Sequence, residues 1–149
     1  MIGRFALAAW VGGAILFVVT SVHEQTFDGF DSVTKDQLAT IRFPDYYQFG
    51  FALVTTALVS GLIGLSRKRR IVFAVLTGLA LAIMCVDYFT VYLPLQESIT
   101  PPGQVRTEEF ITLHNRSKHI NQISLSLALL ASLIACWPVA RRDSAADTN

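Results

Sequence analysis

Few side chains in this sequence can do chemistry, and the ones that can recur at helical spacing or interrupt apolar segments. His114, Ser117 and Asn121 follow one another at steps of three and four residues, which places them on one face of a helix. Asp87 is the only charged residue in the apolar segment 71–93. An ionisable residue inside such a segment costs a few kcal/mol unless it is paired, roughly 2.5–3.5 kcal/mol at a helix centre, so it is a candidate functional site.

We expect a polar pocket built from several helices. Its six candidate side chains are His114, Ser117, Asn121, Asp87, Tyr46 and His23. Histidines that converge from different helices can ligate a metal ion, which makes His114 and His23 the candidate metal ligands. Axial haem ligation requires His114 or His23 to face the bundle interior. His119 points about 140° away from His114 on an ideal helix and is not expected to join it as a ligand. The alternative is that Asp87 and the polar row only hold helices together.

Other functional classes leave no signature. The sequence has no nucleophile–base pair, phosphate-binding loop or paired-cysteine metal motif, so it favours a protein that is not an enzyme and specifies no cofactor. A net charge of +1 without a basic stripe argues against a nucleic-acid partner. Cys85 and Cys136 lie in separate apolar segments and are expected to be buried free thiols.

The elements that must position these residues are membrane-spanning helices. The chain is 52% hydrophobic and 15% charged, whereas a soluble domain is about 25% charged. The apolar segments at 5–22, 46–66 and 71–93 are near the length of about 20 residues that spans a bilayer, and the fourth predicted helix, at 107–137, is longer than a span. The prediction is an all-α, integral membrane, antiparallel four-helix bundle over 1–142, followed by a disordered tail at 143–149. Pro44 is expected to open the second helix and Thr107 to cap the fourth, which extends beyond the membrane.

The inner face of the fourth helix is marked by small and polar residues. They recur at steps of three and four as His114, Ser117, Asn121, Ser124, Ala128, Ala131 and Ala135. Small residues let helices approach closely in lipid, where polar ones bond across the gap. The side with both termini and the 67–70 connector carries seven Lys and Arg, against five on the other side. The positive-inside rule therefore predicts cytoplasmic termini. The expected location is a bacterial inner membrane.

Four short patterns occur in order along the chain. They are Trp10-x-Gly12-Gly13, Phe43-Pro44-x-Tyr46-Tyr47, a polar residue followed by proline at Asp87 and Pro94, and Leu113-His114-x-x-Ser117-x-x-x-Asn121. With these patterns the chain resembles the bacterial four-helix membrane family called domain of unknown function 4149, which is similar to transmembrane protein 205. That family more often carries Asn at the position of Asp87. Its distant similarity to copper-resistance and haem-handling membrane proteins implies a metal or haem by analogy.

Three functions are compatible with these features. The first is a binding or transport module for a metal ion or small polar solute at an outward-facing pocket, with the lipid bilayer as partner; a transporter this small is expected to form a homo-oligomer. The second is a structural or assembly membrane protein without a ligand. The third is a haem- or quinone-linked membrane oxidoreductase.

Overall fold

The computed structural model describes residues 2–137 and consists of helices joined by short connections. The helices are α1 (Ile2–Thr26), α2 (Ser32–Gly64), α3 (Arg67–Asp87), α4 (Leu93–Ser98) and α5 (Glu108–Cys136), with a π-helical turn at Tyr88–Tyr92 between α3 and α4. Because α3, the π turn and α4 form one continuous rod, there are four long rods, each long and apolar enough to cross a membrane. The all-α four-helix bundle is therefore confirmed, whereas the tail at 143–149 lies outside the described residues.

The four rods form a ring in chain order. Rod α1 packs on α2 and α5, and α3 packs on the same two neighbours. The end of the ring with Arg4 and Arg67–Arg70 is called the basic end below, and the opposite end, which contains the α1–α2 connection and the start of α5, is called the polar end.

The interior of the bundle is narrow and filled by small side chains and a few large ones. On α5 the residues at the predicted spacing are buried from Ser117 onward, with Asn121 half-buried. The opposing rods contribute Leu7, Trp10 and Phe73 to the same core. Large aliphatic residues on the outer faces, such as Ile63 at 81% exposure, have no protein neighbour to cover them. This distribution is inverted relative to a soluble bundle and suits lipid.

The rods are longer than the apolar segments that predicted them. Rod α2 begins at Ser32, because the Asp31 side chain accepts a hydrogen bond from the Thr34 N–H and caps the helix. Pro44 consequently lies inside α2, not at its first turn. Pro94, which follows the apolar segment 71–93, does not end the third rod, because α4 continues directly from the π turn and contains Pro94 in its first turn.

Two smaller expectations have opposite outcomes. Thr107 caps α5 as predicted, and its hydroxyl accepts a hydrogen bond of 3.1 Å from the Phe110 N–H. Both cysteines are free, but Cys85 is half-buried and Cys136 is exposed, so the expectation of two buried thiols was wrong. Cys136 follows the buried Ala135 and therefore points off the packed face of α5.

Candidate functional site

Asp87 lies where α3 gives way to the π turn, and its side chain is 1% exposed. In an uninterrupted α-helix a residue five positions later, such as Tyr92, would point about 140° away. A π turn takes more residues per turn, because its bonds run from residue i to i+5, and so rotates Tyr92 back toward the side of Asp87. Tyr92 is accordingly buried, at 5% exposure.

One carboxylate oxygen of Asp87 joins three rods. Its Oδ2 accepts hydrogen bonds from the Tyr47 hydroxyl on α2 at 2.5 Å and from the Asn121 amide on α5 at 2.9 Å. The Ser117 hydroxyl, also on α5, approaches the same oxygen at 3.4 Å. Three donors on one oxygen leave it no unmet hydrogen-bonding capacity, so this half of the carboxylate is fully satisfied within the protein.

Asn121 links Asp87 to a second tyrosine. Its Oδ1 accepts a hydrogen bond of 3.2 Å from the Tyr46 hydroxyl, while its Nδ2 also donates to the Ser117 carbonyl at 3.1 Å. The amide is therefore oriented from both sides. Four of the six predicted site residues, Asp87, Ser117, Asn121 and Tyr46, belong to one hydrogen-bonded network.

The other half of the carboxylate is different. Asp87 Oδ1 is buried and has no hydrogen-bond partner within residues 2–137, and the same is true of the Tyr92 hydroxyl. The three groups that donate to Asp87 are a phenol, an alcohol and an amide, which are all neutral. No Lys, Arg or His of the described residues forms an ion pair with it. The site thus contains a carboxylate without an ion-pair partner in the described residues, and two buried oxygen atoms, Asp87 Oδ1 and the Tyr92 hydroxyl, without hydrogen-bond partners.

Aromatic rings enclose this network. The Tyr46 ring stacks on Phe17 with centroids 4.4 Å apart and lies 5.0 Å from the Trp10 ring. The Tyr47 ring lies 4.7 Å from Tyr92 and 5.1 Å from the ring of Tyr88. Rigid rings on both flanks hold the hydroxyl groups in place and separate the carboxylate from lipid.

The two predicted histidines are not part of the network. His114 is exposed and stacks on the Phe110 ring, with centroids 5.9 Å apart. It lies one turn before Ser117, where burial of that face of α5 begins. His23 is exposed near the end of α1, and within residues 2–137 no group of three or more His, Cys, Asp and Glu side chains is placed to hold a metal. Metal ligation by these histidines stays a prediction.

Two residues of the site, Tyr47 in the network and Tyr92 beside it, are not among the six predicted candidates. Tyr47 had a usable signal, because Tyr47, Gly50, Val54, Ala57 and Gly61 recur on α2 at the same steps of three and four as the inner face of α5, and all five are buried. Tyr92 had none, since α-helical spacing turns it away from Asp87 and only the π turn brings it back.

Two ion pairs stabilise the polar end outside the network. Asp36, 1% exposed, pairs with Arg106 and accepts a hydrogen bond of 2.8 Å from the Gly103 N–H, which fastens the connection before α5 to α2. Arg42 pairs with Glu24 and so ties α2 to the end of α1. These contacts explain why the polar segments of α2 and of the α4–α5 connection are ordered beyond the apolar spans.

No protein-family model, curated protein or solved structure matches this chain. The resemblance to the four-helix membrane family therefore stays a prediction, and the function has to be argued from the Asp87 network.

Proposed function

We propose that this multi-pass membrane protein is a binding module whose Asp87 carboxylate takes one small cation, either a proton or a singly charged metal ion. The observation that supports the proposal is the buried Oδ1 of Asp87, which has no partner while Oδ2 accepts from Tyr47, Ser117 and Asn121.

Charge balance favours a singly charged occupant. A buried carboxylate without a counter-ion loses several kcal/mol of solvation, roughly 3 kcal/mol or more in a membrane interior, and neutral donors recover only part of this. One positive charge at Oδ1 neutralises the site. The network offers carboxylate, phenol, alcohol and amide oxygens, which suit a proton or a hard metal ion better than a soft transition metal.

The place of the site in the third rod also supports a functional role. Asp87 lies in the half of the third rod that is nearer the polar end, and the π turn directly follows it. Single π turns interrupt the regular hydrogen-bond ladder and are frequent at functional sites. Transport of the bound cation, in a homo-oligomer, is the extension of this proposal.

The experiment compares the wild type with Asp87→Asn. Asp45→Asn is the matched control, because Asp45 is an exposed carboxylate on α2. Each protein is purified in detergent, and thermal unfolding is followed in LiCl, NaCl and KCl, with choline chloride holding ionic strength constant. A ligand at 100 times its Kd stabilises the folded state by about 2.7 kcal/mol. The infrared C=O stretch of a protonated carboxyl detects proton occupancy in the same samples.

The proposal predicts one of two results for the wild type and for Asp45→Asn. Either one alkali cation raises the unfolding temperature, or the spectrum contains a protonated-carboxyl band, and Asp87→Asn abolishes whichever is seen. If Asp87→Asn responds to every salt as the wild type does and loses no carboxyl band, Asp87 binds neither a proton nor a cation.

A structural role is the second candidate, and the three hydrogen bonds at Oδ2 favour it. Polar side chains that bridge α2, α3 and α5 can serve as interhelical glue alone. In that case Asp87→Asn leaves both folding and cellular phenotype nearly unchanged. The haem alternative needs His23 or His114 inside the bundle, and both are exposed; a colourless preparation of overexpressed protein speaks against it.

We further propose that the protein lies in a bacterial inner membrane with both termini in the cytoplasm, as the excess of basic residues at the basic end supports. Maleimide labelling of single cysteines introduced as Ser66→Cys and Gly29→Cys, in a protein whose Cys85 and Cys136 are replaced by Ala, tests this orientation. In intact cells an impermeant maleimide should label the cysteine at position 29 and spare the one at position 66. The reverse pattern would place the termini outside.

A further inference from the structure

The basic end of the bundle carries a cluster of cationic side chains. Its five cationic side chains are Arg4, Arg67, Lys68, Arg69 and Arg70. Among residues 2–137, every Asp and Glu lies in the other half of the bundle. The basic end is therefore a surface of one sign.

Two of these cations have clear intramolecular roles. The Arg70 guanidinium donates to the Leu65 carbonyl at 2.9 and 3.2 Å, and the Arg69 guanidinium donates to the Trp137 carbonyl at 2.7 Å. Leu65 and Trp137 are the C-cap residues that directly follow α2 and α5. A cation at the carboxyl end of a helix satisfies an orphan carbonyl and complements the negative end of the helix dipole.

The other three cations have no such role. Arg4, Arg67 and Lys68 are exposed and form no hydrogen bond or ion pair within the described part of the chain. They lie in the first turns of α1 and α3, where the positive end of the helix dipole disfavours a cation. Ser66 adds no compensating side-chain cap to α3. An anionic partner at this end would relieve the repulsion.

We propose that Arg4, Arg67 and Lys68 bind the headgroup phosphates of anionic phospholipids. The position of the cluster supports this occupant, because the ends of rods that cross the apolar layer lie at the depth of the headgroups. The cleft beside Arg4 measures only about 20 Å³, so a headgroup lies on the exposed cations at the surface and not in a pocket.

The chain carries its own reporter for this binding. Trp137 is 69% exposed and its carbonyl accepts the Arg69 hydrogen bond, whereas Trp10, the other tryptophan, is 2% exposed and lies in the core. Brominated phosphatidylglycerol diluted into phosphatidylcholine vesicles quenches a tryptophan that it touches. Brominated phosphatidylcholine at the same density measures contact with bulk lipid, so the ratio of the two gives the preference for the anionic headgroup.

The variant Arg4→Gln/Arg67→Gln/Lys68→Gln removes the three unpartnered cations. The matched control Lys35→Gln/Arg116→Gln/Lys118→Gln removes three from the polar end. Juxtamembrane cations each favour anionic lipid, and together three are expected to contribute about a hundredfold at low salt. We expect the wild type and the control to prefer brominated phosphatidylglycerol, and the first variant to lose that preference by roughly this factor.

Three results would overturn the proposal. Equal quenching of the wild type by the two lipids would mean that no anionic lipid is selected. An equal loss in both triple variants would assign the preference to overall charge and not to this end. Complete reversal of the quenching by millimolar inorganic phosphate would identify a site for soluble phosphate instead of lipid.

Discussion

Removing the hydroxyl group of Tyr47 tests the central hydrogen bond of the bundle. The substitution Tyr47→Phe keeps the ring, whose neighbours Tyr88 and Tyr92 lie 5.1 and 4.7 Å away between centroids. It deletes the donor that lies 2.5 Å from Asp87 Oδ2. Because the side chain of Tyr47 is 2% exposed, no water molecule from bulk solvent replaces the lost donor.

The expected loss in the free energy of unfolding is about 1.5 kcal/mol. A hydrogen bond to a charged acceptor contributes roughly 1.5–3 kcal/mol in soluble proteins. Interhelical hydrogen bonds in membranes average about 0.6 kcal/mol and reach about 1.7, because the unfolded chain in the membrane also finds partners. The short distance and the buried site place Tyr47 near the upper membrane value. Asn121 and Ser117 still donate to Oδ2, which prevents a larger loss.

Reversible unfolding in mixed dodecyl maltoside and dodecyl sulfate micelles, followed by far-ultraviolet circular dichroism, measures this loss. About 1.5 kcal/mol corresponds to roughly a tenfold change in the unfolding equilibrium constant. Tyr88→Phe is the matched control, since its ring packs on Tyr47 but its hydroxyl group makes no hydrogen bond within residues 2–137.

A double-mutant cycle separates this bond from packing. If Tyr47 and Asp87 interact directly, Tyr47→Phe in an Asp87→Asn background should cost about 1 kcal/mol less than in the wild type. If Tyr47→Phe unfolds at the same detergent fraction as the wild type, the Tyr47–Asp87 hydrogen bond does not stabilise the bundle. If Tyr88→Phe loses as much stability as Tyr47→Phe, the effect belongs to the aromatic packing and not to the hydrogen bond.

Two further predictions concern helix packing and capping. Gly61→Ala should destabilise the bundle by about 1–3 kcal/mol, because the added Cβ would lie 2.2 Å from the buried Phe73 ring. Gly78→Ala is the control and should be neutral or stabilising in the same unfolding assay, since its added Cβ would have no atom within 4 Å. The hydrogen bond from the Thr34 N–H holds the pKa of the Asp31 carboxyl below its usual 3.8, so this helix cap is intact at neutral pH and is lost as the pH falls through that lowered pKa. Hydrogen exchange of the Thr34 amide should therefore accelerate in acid. The substitution Asp31→Asn should remove this acid dependence. Loss of the pH response in the wild type, or equal effects of the two glycine substitutions, would contradict these assignments.

The sequence by itself determined the membrane class, the four rods and the inner face of α5. Apolar segments of spanning length follow from composition alone, and steps of three and four mark a helix face whatever its neighbours are. The same spacing correctly grouped Ser117 and Asn121. It did not determine the helix boundaries, because the Asp31 cap that starts α2 acts through a local hydrogen bond that hydropathy does not register, and the third rod continues past Pro94.

Only the tertiary structure decided which polar groups meet. Tyr47 reaches Asp87 because α2 packs beside α3, and Tyr92 joins them because a π turn rotates it from the direction that α-helical spacing assigns. His114 shares a helix face with Ser117 yet remains exposed, since neighbouring rods cover that face only from Ser117 onward. Burial is a property of what packs against a residue, and periodicity along one helix contains no information about the length of its neighbours.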